Sequence, residues 1–213
     1  MTRAPQAIAC IGAAHVDRLA HAARPIVAAS SNPVSVSQSL GGVARNVAES
    51  LARLGCHVAL VSRVGDDPEG DKVVRAMAGL GIDMTATGRS PTFPTASYTA
   101  LVGPDGEMAV AMADMAIYDE LTADALVEDL GGLPGPSLRF ADCNLPADAL
   151  AFLRQSKQPA GFLAIDAVSV AKAGRLGRDL SGIDLVFCNR DEAAILGGMA
   201  GAPEKCARAI RRR

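Results

Sequence analysis

The sequence carries little net charge and has no long apolar run. Its 21 Lys and Arg residues nearly balance 23 Asp and Glu residues, which gives a formal net charge of −2 at pH 7. No broad basic surface is expected, so we predict that the protein binds neither nucleic acid nor membranes. No apolar run approaches transmembrane length, and residues 1–5 lack the apolar core of a signal peptide. These absences predict a soluble, cytoplasmic protein.

The cysteines show neither a disulfide framework nor a zinc-binding pattern. Their number is odd, they are widely scattered, and no C-x-x-C pair occurs. The five are Cys10, Cys56, Cys143, Cys188 and Cys206. Because several lie in apolar runs, we expect reduced thiols in the core of a cytosolic protein.

Two common nucleotide-binding motifs are also absent. The segment from Gly65 to Lys72 has some likeness to a P-loop, but its lysine does not directly follow the second glycine, and no serine or threonine comes after it. No G-x-G-x-x-G follows the first predicted strand. The sequence therefore supports neither a Walker-type kinase nor a dinucleotide-binding fold.

Apolar runs alternate with helical segments along a chain long enough for one α/β domain. The 213 residues are 49% hydrophobic, which is sufficient to fill a core. Short, continuous apolar runs predict the buried strands of a parallel sheet. These runs lie at residues 7–12, 57–61, 138–141, 162–165 and 184–188. Asp67 is the predicted N-cap of a helix that begins at Pro68.

Three other segments alternate apolar and polar residues, which is typical of strands with one solvated face. They lie at residues 34–39, 96–102 and 108–112, and a turn at residues 103–106 joins the last two. The contrast with the continuous apolar runs predicts a small second sheet. We expect two insertions, at about residues 15–40 and 92–115, to supply its strands.

Polar residues follow three of the predicted parallel strands. Asp142, with Asn144 close by, follows the strand at residues 138–141; Asp166 and Asn189 follow the next two. Open parallel sheets bind ligands at the carboxyl ends of their strands. These side chains therefore predict one shared rim that forms a binding site.

A glycine pair opens a predicted amphipathic helix. The apolar stripe of this helix comprises Val43, Val47, Leu51 and Leu54. Arg45, Glu49 and Arg53 alternate in sign at i,i+4 spacing, on a face that we expect to be solvated.

The start of this helix is a candidate ligand site. Gly41 and Gly42 allow close approach to the backbone, and the N–H groups of the first turn are expected to be free. Asn46 lies one turn after Gly42, so its amide is expected to point back over the glycine pair. This surface suits a polyhydroxy ligand, although an ordinary loop-to-helix junction fits the same spacing.

Several motifs in a fixed order carry a resemblance to a known family. The pattern Gly41-Gly42-x-x-x-Asn46, followed by Gly55 and residues 61–70, resembles the first signature of the ribokinase-like (PfkB) sugar and nucleoside kinases. Residues 41–49, 113–119, 144–146 and 166–172 are similar to motifs of the pseudouridine-kinase branch. The resemblance extends from about residue 7 to residue 197.

The resemblance implies a fold and a reaction. The fold would be an α/β ribokinase-like three-layer sandwich, with a mostly parallel central sheet and a small β lid that closes on the sugar or pairs with a second subunit in a homodimer. The reaction would be ATP-dependent phosphorylation of the 5′-hydroxyl of a ribosyl nucleoside, with pseudouridine as the favoured acceptor. Ribose, fructose and adenosine are alternative acceptors. A non-catalytic ribosyl-binding protein is an alternative of another class.

The resemblance also implies roles for individual residues. The residues that would bind the sugar are Asp17, Gly41, Gly42, Asn46, Thr95 and Ser97. Asn189 and Glu192 match the family's N-x-x-E motif, which orients phosphate and Mg²⁺ mostly through water. Asp166 and Lys172 would lie on the same phosphate side. A monovalent cation, K⁺, is a further cofactor in the family.

From the residues alone, other interpretations stay open. Asp17 fits a turn just past the first strand, with His15 as a bystander on the same loop. Asn189 and Glu192 also have the spacing of a helix capping box. Lys172 would otherwise be an ordinary solvated lysine.

One part of the family pattern is missing from this sequence. The family's second signature is a glycine-rich G-A-G-D-type segment that forms an anion hole and carries the catalytic base. Residues 197–201 are rich in glycine but contain no aspartate. We therefore expect a C-terminally truncated chain, with residues 1–213 forming a single incomplete domain. Without a catalytic base, such a chain would have little or no kinase turnover of its own.

Overall fold

Within the residues that the structure describes, two sheets form the architecture, and helices pack on the larger one. The computed structural model describes residues 8–133, 135, 138–199 and 201–211. The signal-peptide prediction for residues 1–5 and the start of the first predicted strand, at residue 7, lie outside these described residues. Among them, no helix is long and apolar enough to cross a membrane.

In the described part of the chain, the larger sheet has six strands. They are β1 (Ile8–Ile11), β4 (Val58–Gly65), β5 (Thr87–Ser90), β8 (Leu138–Asp142), β9 (Phe162–Asp166) and β10 (Leu185–Phe187). Their order is β10-β9-β8-β1-β4-β5, and every pairing between neighbours is parallel. The predicted parallel sheet is confirmed. The edge strand β5 was not predicted, because its residues contain no apolar run.

Helices cover both faces of this sheet. They are α1 (Val43–Arg53), α2 (Pro68–Ala78), α3 (Ala123–Gly131), α4 (Ala147–Gln155), α5 (Val170–Ala173), α6 (Arg190–Gly197) and α7 (Pro203–Ile210). Because successive strand residues point to opposite faces, the sheet separates two apolar cores. Cys10 and Leu60 pack in the core with α1 and α2, whereas Ile11 and Val61 pack in the core with α3 and α4. The predicted three-layer α/β architecture is confirmed.

Helix α2 begins where the sequence predicts. Asp67 is its N-cap, and one carboxylate oxygen accepts a hydrogen bond from the backbone N–H of Gly70 at 2.7 Å. Pro68 occupies the first helical position, where its missing N–H costs no intrahelical bond.

Helix α1 differs from its prediction in two respects. Leu54 is not part of a buried stripe, because it follows the last helical residue and is 78% exposed. Arg45, predicted to be solvated, is only 7% exposed and lies on the buried face with Ala44 and Ala48. Ala44 and Ala48 pack in the core with residues of β1 and β4, and the guanidinium of Arg45 donates to Leu40 O at the end of the strand that precedes α1.

The smaller sheet has four strands among the residues with a described structure. They are β2 (His15–Ala22), β3 (Val34–Gly41), β6 (Ser97–Val102) and β7 (Met108–Asp114). Their order is β3-β2-β6-β7, with β2 antiparallel to β3 and parallel to β6. The three strands predicted from alternation correspond to β3, β6 and β7. Side-chain hydrogen bonds join this sheet to α2, from Arg18 to Glu69 at 3.0 Å and from Lys72 to Gln38 at 3.1 Å. A lid function for the smaller sheet stays a prediction.

One face of β9 and β10 is largely exposed. Phe162, Leu185 and Phe187 lie on it and are 40%, 42% and 46% exposed. Together with Val47 and Phe140 they line an open apolar groove of about 400 Å³. Strands of parallel sheets are normally buried on both faces, so this surface favours self-association.

Candidate functional site

Asp17 lies on strand β2 and not in a loop after β1, so that part of its prediction is wrong. In the antiparallel pairing of β2 with β3, His15 is opposite Gly41, and Asp17 is opposite Ser39. Gly41 lies two residues beyond Ser39, on the same face of the sheet as Asp17, and the Asp17 carboxylate lies over it. A Cβ atom on Gly41 would be 2.3 Å from Asp17 Oδ2. Only glycine leaves room for the carboxylate in this place.

His15 is the first residue of β2, where it contacts the Asp17 carboxylate. Its Nε2 atom is 3.1 Å from Asp17 Oδ1. Burial lowers the pKa of His15, while the carboxylates of Asp17 and Asp142 act in the opposite direction. The 3.1 Å contact fits an Nε2–H group that donates to the Asp17 carboxylate. His15 lies on a strand and not on a loop, so that part of its prediction is wrong, while its role as a bystander to the ligand stays a prediction.

A buried tyrosine holds the backbone next to His15. The Tyr118 hydroxyl accepts a hydrogen bond from Ala14 N at 3.0 Å and donates one to Ala14 O at 2.9 Å. It also lies 3.5 Å from His15 Nδ1. Desolvation raises the pKa of Tyr118 well above its ordinary value, so the hydroxyl keeps its proton. No local pattern around Tyr118 indicates this role, because its partners Ala14 and His15 are more than 100 positions away in the sequence.

The buried carboxylate of Asp142 ties three segments together. Its Oδ2 accepts hydrogen bonds from Ala13 N at 3.0 Å and Ala44 N at 2.8 Å, and its Oδ1 accepts from Asn144 N at 2.9 Å. Asp142 is fully buried. It thereby acts as a remote cap for α1, whose own N-cap residue, Gly42, has no side chain to do so.

The N–H groups at the start of α1 are less available than predicted. Ala44 N donates to Asp142, and Arg45 N donates to Ala13 O at 3.1 Å. For these two groups the prediction of free donors is wrong. Gly42 itself has a φ of 104°, and a Cβ atom there would be 2.2 Å from Ala13 O. Both facts require glycine at position 42.

Asn46 is exposed one turn into α1. Its backbone N–H donates to Gly42 O at 2.8 Å. Its side-chain Oδ1 accepts a hydrogen bond from the guanidinium of Arg45, which also donates to Leu40 O at 3.0 Å. The side-chain amide of Asn46 is thus linked to the end of β3, immediately before the glycine pair.

Thr95 and Ser97 are placed differently from Asp17. The Thr95 hydroxyl accepts from Gly65 N at 2.9 Å and donates to Asp67 Oδ1 at 2.7 Å, so its proton is engaged within the protein. Ser97 pairs with Val16 across β2 and β6. Since neighbouring strand residues point to opposite faces, Ser97 lies on the face opposite Asp17.

A chain of side chains connects α5 to Asp142. The Lys172 ammonium donates to Asn144 Oδ1, and Asn144 Nδ2 donates to Asp142 Oδ1 at 2.8 Å. Arg175 fixes the same loop through a 2.7 Å bond to Asn144 O. Burial lowers the pKa of Lys172. Lys172 therefore has a defined position, and the interpretation of a simply solvated lysine is wrong.

Asp166 and Glu192 bring further carboxylates to the same rim. Asp166 Oδ1 accepts from Val168 N at 2.8 Å. Burial, and then the charges of Asp142 and Glu192, raise the pKa of Asp166. The charges of Asp142 and Glu192 therefore act on Asp166 at this rim.

The capping interpretation of Asn189 and Glu192 is confirmed. Asn189 Oδ1 accepts from Glu192 N at 2.9 Å, and Glu192 Oε2 accepts from Asn189 N at 2.8 Å. The other carboxylate oxygen, Oε1, accepts from Asn189 Nδ2 at 2.7 Å. Glu192 is 4% exposed. A role of this pair toward magnesium or phosphate stays a prediction.

Comparison with known proteins supports the predicted family. Residues 5–212 match the pfkB family of carbohydrate kinases. The chain is 32% identical over 193 residues to pseudouridine kinase of Escherichia coli (strain K12), an alignment that covers 91% of this chain and 61% of that protein. The chain therefore spans less than two thirds of the length of this relative.

Solved structures give the same result. A carbohydrate kinase from Agrobacterium tumefaciens matches with a TM-score of 0.84 at 32% identity, over 96% of this chain and 67% of that chain. Arabidopsis thaliana ribokinase complexed with ribose and ATP matches with a TM-score of 0.78, over 99% of this chain and 68% of that chain. At 16% identity, the second match concerns the fold alone. The predicted ribokinase-like fold is confirmed, and the chain belongs to the pfkB family of carbohydrate kinases.

Proposed function

We propose that this chain forms the sugar-binding part of a kinase that transfers a phosphoryl group from ATP to the 5′-hydroxyl of a ribosyl nucleoside. The observation that carries the proposal is the position of the Asp17 carboxylate over Gly41, beside the helix start that bears Asn46. A carboxylate accepts hydrogen bonds from hydroxyl groups, and an amide contacts a neighbouring hydroxyl. Vicinal hydroxyl groups of a ribose match such a pair.

Pseudouridine is the proposed acceptor. The support for this choice is the 32% identity to pseudouridine kinase of Escherichia coli, a level at which related kinases differ in substrate. Ribose, fructose and adenosine are the competing acceptors. Isothermal titration with this panel tests the choice. Pseudouridine is supported as the acceptor if it binds most tightly. If another compound of the panel binds more tightly, that compound becomes the proposed acceptor.

The phosphate side of the proposed site contains Lys172, Asn189, Glu192 and Asp166. Lys172 places a positive charge near the rim, where it would neutralise part of the phosphate charge of ATP. Bound Mg²⁺ would supply the remaining charge neutralisation, and K⁺ is a further candidate cation. Both Glu192 oxygens already accept hydrogen bonds from Asn189, and the side chain is buried. Glu192 therefore fits water-mediated contact with Mg²⁺ and not direct ligation, and Mg²⁺ accepts such sites because it retains several waters.

Within residues 8–133, 135, 138–199 and 201–211, no group of three or more His, Cys, Asp or Glu side chains is arranged to hold a metal ion. The proposed magnesium contacts involve phosphate oxygens and water together with Asp166 and Glu192.

We propose little or no phosphoryl transfer by these 213 residues alone. The rim carboxylates are already committed: Asp142 to three backbone N–H groups, Asp166 to Val168 and Glu192 to the capping box. Asp17 is assigned to the sugar. No remaining carboxylate of the rim is assigned to accept the hydroxyl proton. The same observation favours the second candidate, a non-catalytic ribosyl-binding protein.

Binding and turnover measured together separate the two candidates. Pseudouridine binding by calorimetry, with no ADP release in the presence of Mg-ATP, supports the binding part of the proposal for this chain. Turnover at ordinary kinase rates contradicts our assignment of the carboxylates. Failure to bind any ribosyl compound contradicts the proposal as a whole.

Pairing of two copies through the smaller sheet is part of the proposal. Val36 and Val110 lie in one row across this sheet, on the same face as Met112. Their exposed fractions are 59%, 49% and 61%. Burial of such side chains against a second copy would remove apolar surface from water. Sedimentation of the protein with and without Val110→Lys tests it: loss of a dimer supports the pairing, and an unchanged mass contradicts it.

A further inference from the structure

We propose that Arg45 is a positioning residue that fixes the orientation of the Asn46 side chain, so that Asn46 offers its NH₂ group to the ligand while Asp17 offers an acceptor. The inference deepens the proposed function and rests on it. It assigns opposite hydrogen-bonding roles to the two side chains that face the sugar. It also gives the buried guanidinium of α1 a purpose beyond helix stability.

The orientation follows from the chemistry of arginine. A guanidinium group contains only N–H donors and accepts no hydrogen bonds. The Asn46 atom that faces Arg45 is Oδ1, which accepts from Nη2. The Nδ2 group of Asn46 is left for other partners, and the residue is exposed at the helix start. A ligand hydroxyl oxygen that meets Asn46 therefore meets a donor.

Arg45 is held firmly enough to impose this orientation. It is 7% exposed, and its guanidinium donates to Leu40 O at 3.0 Å and to the Glu49 carboxylate. Its backbone N–H donates to Ala13 O. The side chain thereby connects the end of β3, the glycine pair and Asn46 into one unit.

The arrangement is not explained by stability alone. Arg45 Nε is buried and has no hydrogen-bond partner within the part of the chain that the structure describes. A buried donor without a partner destabilises the folded state. An apolar residue at position 45 would avoid this cost, so the benefit of the guanidinium lies in its three oxygen partners, the Glu49 carboxylate, Leu40 O and Asn46 Oδ1.

The ligand would then meet one hydrogen-bond acceptor and one donor in fixed positions. One ribose hydroxyl donates its proton to Asp17, and a neighbouring hydroxyl oxygen accepts from Asn46 Nδ2. If the Asn46 amide were free to turn, it could present either its oxygen or its NH₂ group, and the site would be less selective between ligands that need a donor and ligands that need an acceptor. Preorganised donors and acceptors raise affinity because the binding event does not have to order them.

Two substitutions at position 46 test the orientation. Asn46→Asp keeps the shape of the side chain and pairs with Arg45, but it offers oxygen in place of NH₂. We expect Asn46→Asp and Asn46→Ala to lower pseudouridine affinity equally, by about tenfold, which corresponds to roughly 1.4 kcal/mol. If Asn46→Asp binds within about threefold of the unmodified chain while Asn46→Ala does not, the oxygen faces the ligand and the inference is overturned.

A matched pair of arginine variants tests the positioning role. Arg53 also binds Glu49, at 2.7 Å, but the bonds recorded for it do not include Asn46 or Leu40. We expect Arg45→Met to lower pseudouridine affinity by about three- to tenfold and Arg53→Met to leave it unchanged. Equal affinity in both variants overturns the inference. If Arg45→Met does not fold, the comparison of Asn46→Asp with Asn46→Ala still tests the orientation of the Asn46 amide.

The outcome also separates this inference from the proposed function. Binding of pseudouridine by the unmodified chain, with loss of binding in Asp17→Asn, supports the proposed function whatever the Arg45 variants show. Absence of binding by the unmodified chain overturns both. Binding that is lost in Asp17→Asn but kept in Asn46→Asp overturns the positioning role of Arg45 alone.

Discussion

The backbone N–H of Ala44 donates a 2.8 Å hydrogen bond to the buried carboxylate of Asp142. Through this bond the end of β8 determines where α1 begins. The glycine pair and Asn46 occupy the residues on either side of that point, so the proposed sugar site depends on a residue that does not touch the sugar. A Cβ atom on Gly12 would be 2.5 Å from Asp142 Cγ, which shows how closely the chain is packed here.

Replacing Asp142 by asparagine should destabilise the fold. The new NH₂ group would face backbone N–H donors and leave them unpaired, at a cost of about 2 kcal/mol in the free energy of unfolding. Urea unfolding monitored by circular dichroism measures it. Asp148→Asn is the control, because Asp148 is exposed and accepts one bond, from Ala123 N. A loss no greater than in the control contradicts the assigned role.

Replacing Gly41 by alanine should weaken sugar binding more than it weakens folding. The added methyl group must displace the Asp17 carboxylate, which is the end of a movable side chain. We expect a loss of at least about tenfold in pseudouridine affinity, the equivalent of one hydrogen bond. Gly131→Ala is the control, since its Cβ atom would meet nothing within 4 Å. Unchanged affinity in Gly41→Ala would refute the placement of the ligand.

Stability should fall in mild acid because of His15. Burial lowers the pKa of this imidazole in the folded state, while Asp17, Asp142 and Lys172 are the charged groups that act on it. Below about pH 6.5 the unfolded chain therefore binds a proton that the folded chain resists, and the free energy of unfolding decreases as the pH falls. The hydroxyl of Tyr118 also faces the ring and stays protonated throughout this range.

The contribution of His15 to this loss of stability is measured by comparing variants. We expect the decrease between pH 7.5 and pH 5.5 to be smaller in His15→Gln than in the unmodified chain, with a slope due to His15 of at most about 1.4 kcal/mol per pH unit. The exposed His57 supplies the control, His57→Gln. Equal decreases in the unmodified chain and His15→Gln would show that the acid sensitivity arises elsewhere.

Glu192 can be tested for its two roles separately. Glu192→Gln keeps an oxygen for the Asn189 N–H but removes the charge, whereas Glu192→Ala removes both. We expect Glu192→Ala to cost about 1 kcal/mol of stability and Glu192→Gln clearly less. If the charge helps to hold magnesium, both variants weaken Mg-ATP binding, measured by titration. Normal Mg-ATP binding by Glu192→Gln would leave Glu192 with its capping role alone.

The exposed face of β9 and β10 should cause self-association. Phe187→Ser is expected to lower the average mass in light scattering at high protein concentration, because it removes an exposed aromatic ring from the apolar groove. Leu54→Ser is the control: Leu54 is more exposed, at 78%, but lies at the end of α1, outside the groove. A similar decrease in both variants would mean that the groove has no special part.

Much of the fold was predictable because local patterns determine it. The continuous apolar runs ending at Asp142 and Asp166 identified β8 and β9, and Asp67 with Pro68 identified the start of α2. β5 could not be predicted from a local pattern because it is short and polar. It lies at the sheet edge because it pairs with β4.

The hydrogen bonds and ion pairs within the site were not predictable in the same way. Asp142 was identified as a rim residue, but its partners Ala13 and Ala44 are 129 and 98 positions away in the sequence. Arg45 has the i,i+4 spacing of a solvated ion pair with Glu49, but in the structure it is buried and also donates to Leu40 O. Such long-range contacts leave no periodic signal.

A crystal structure of the chain with pseudouridine tests the central claim most directly. We predict that ribose hydroxyl groups lie within hydrogen-bond distance of the Asp17 carboxylate and the Asn46 amide, above Gly41. Pseudouridine bound at a place remote from Asp17 and Asn46, in crystals that leave this site accessible, would contradict the account.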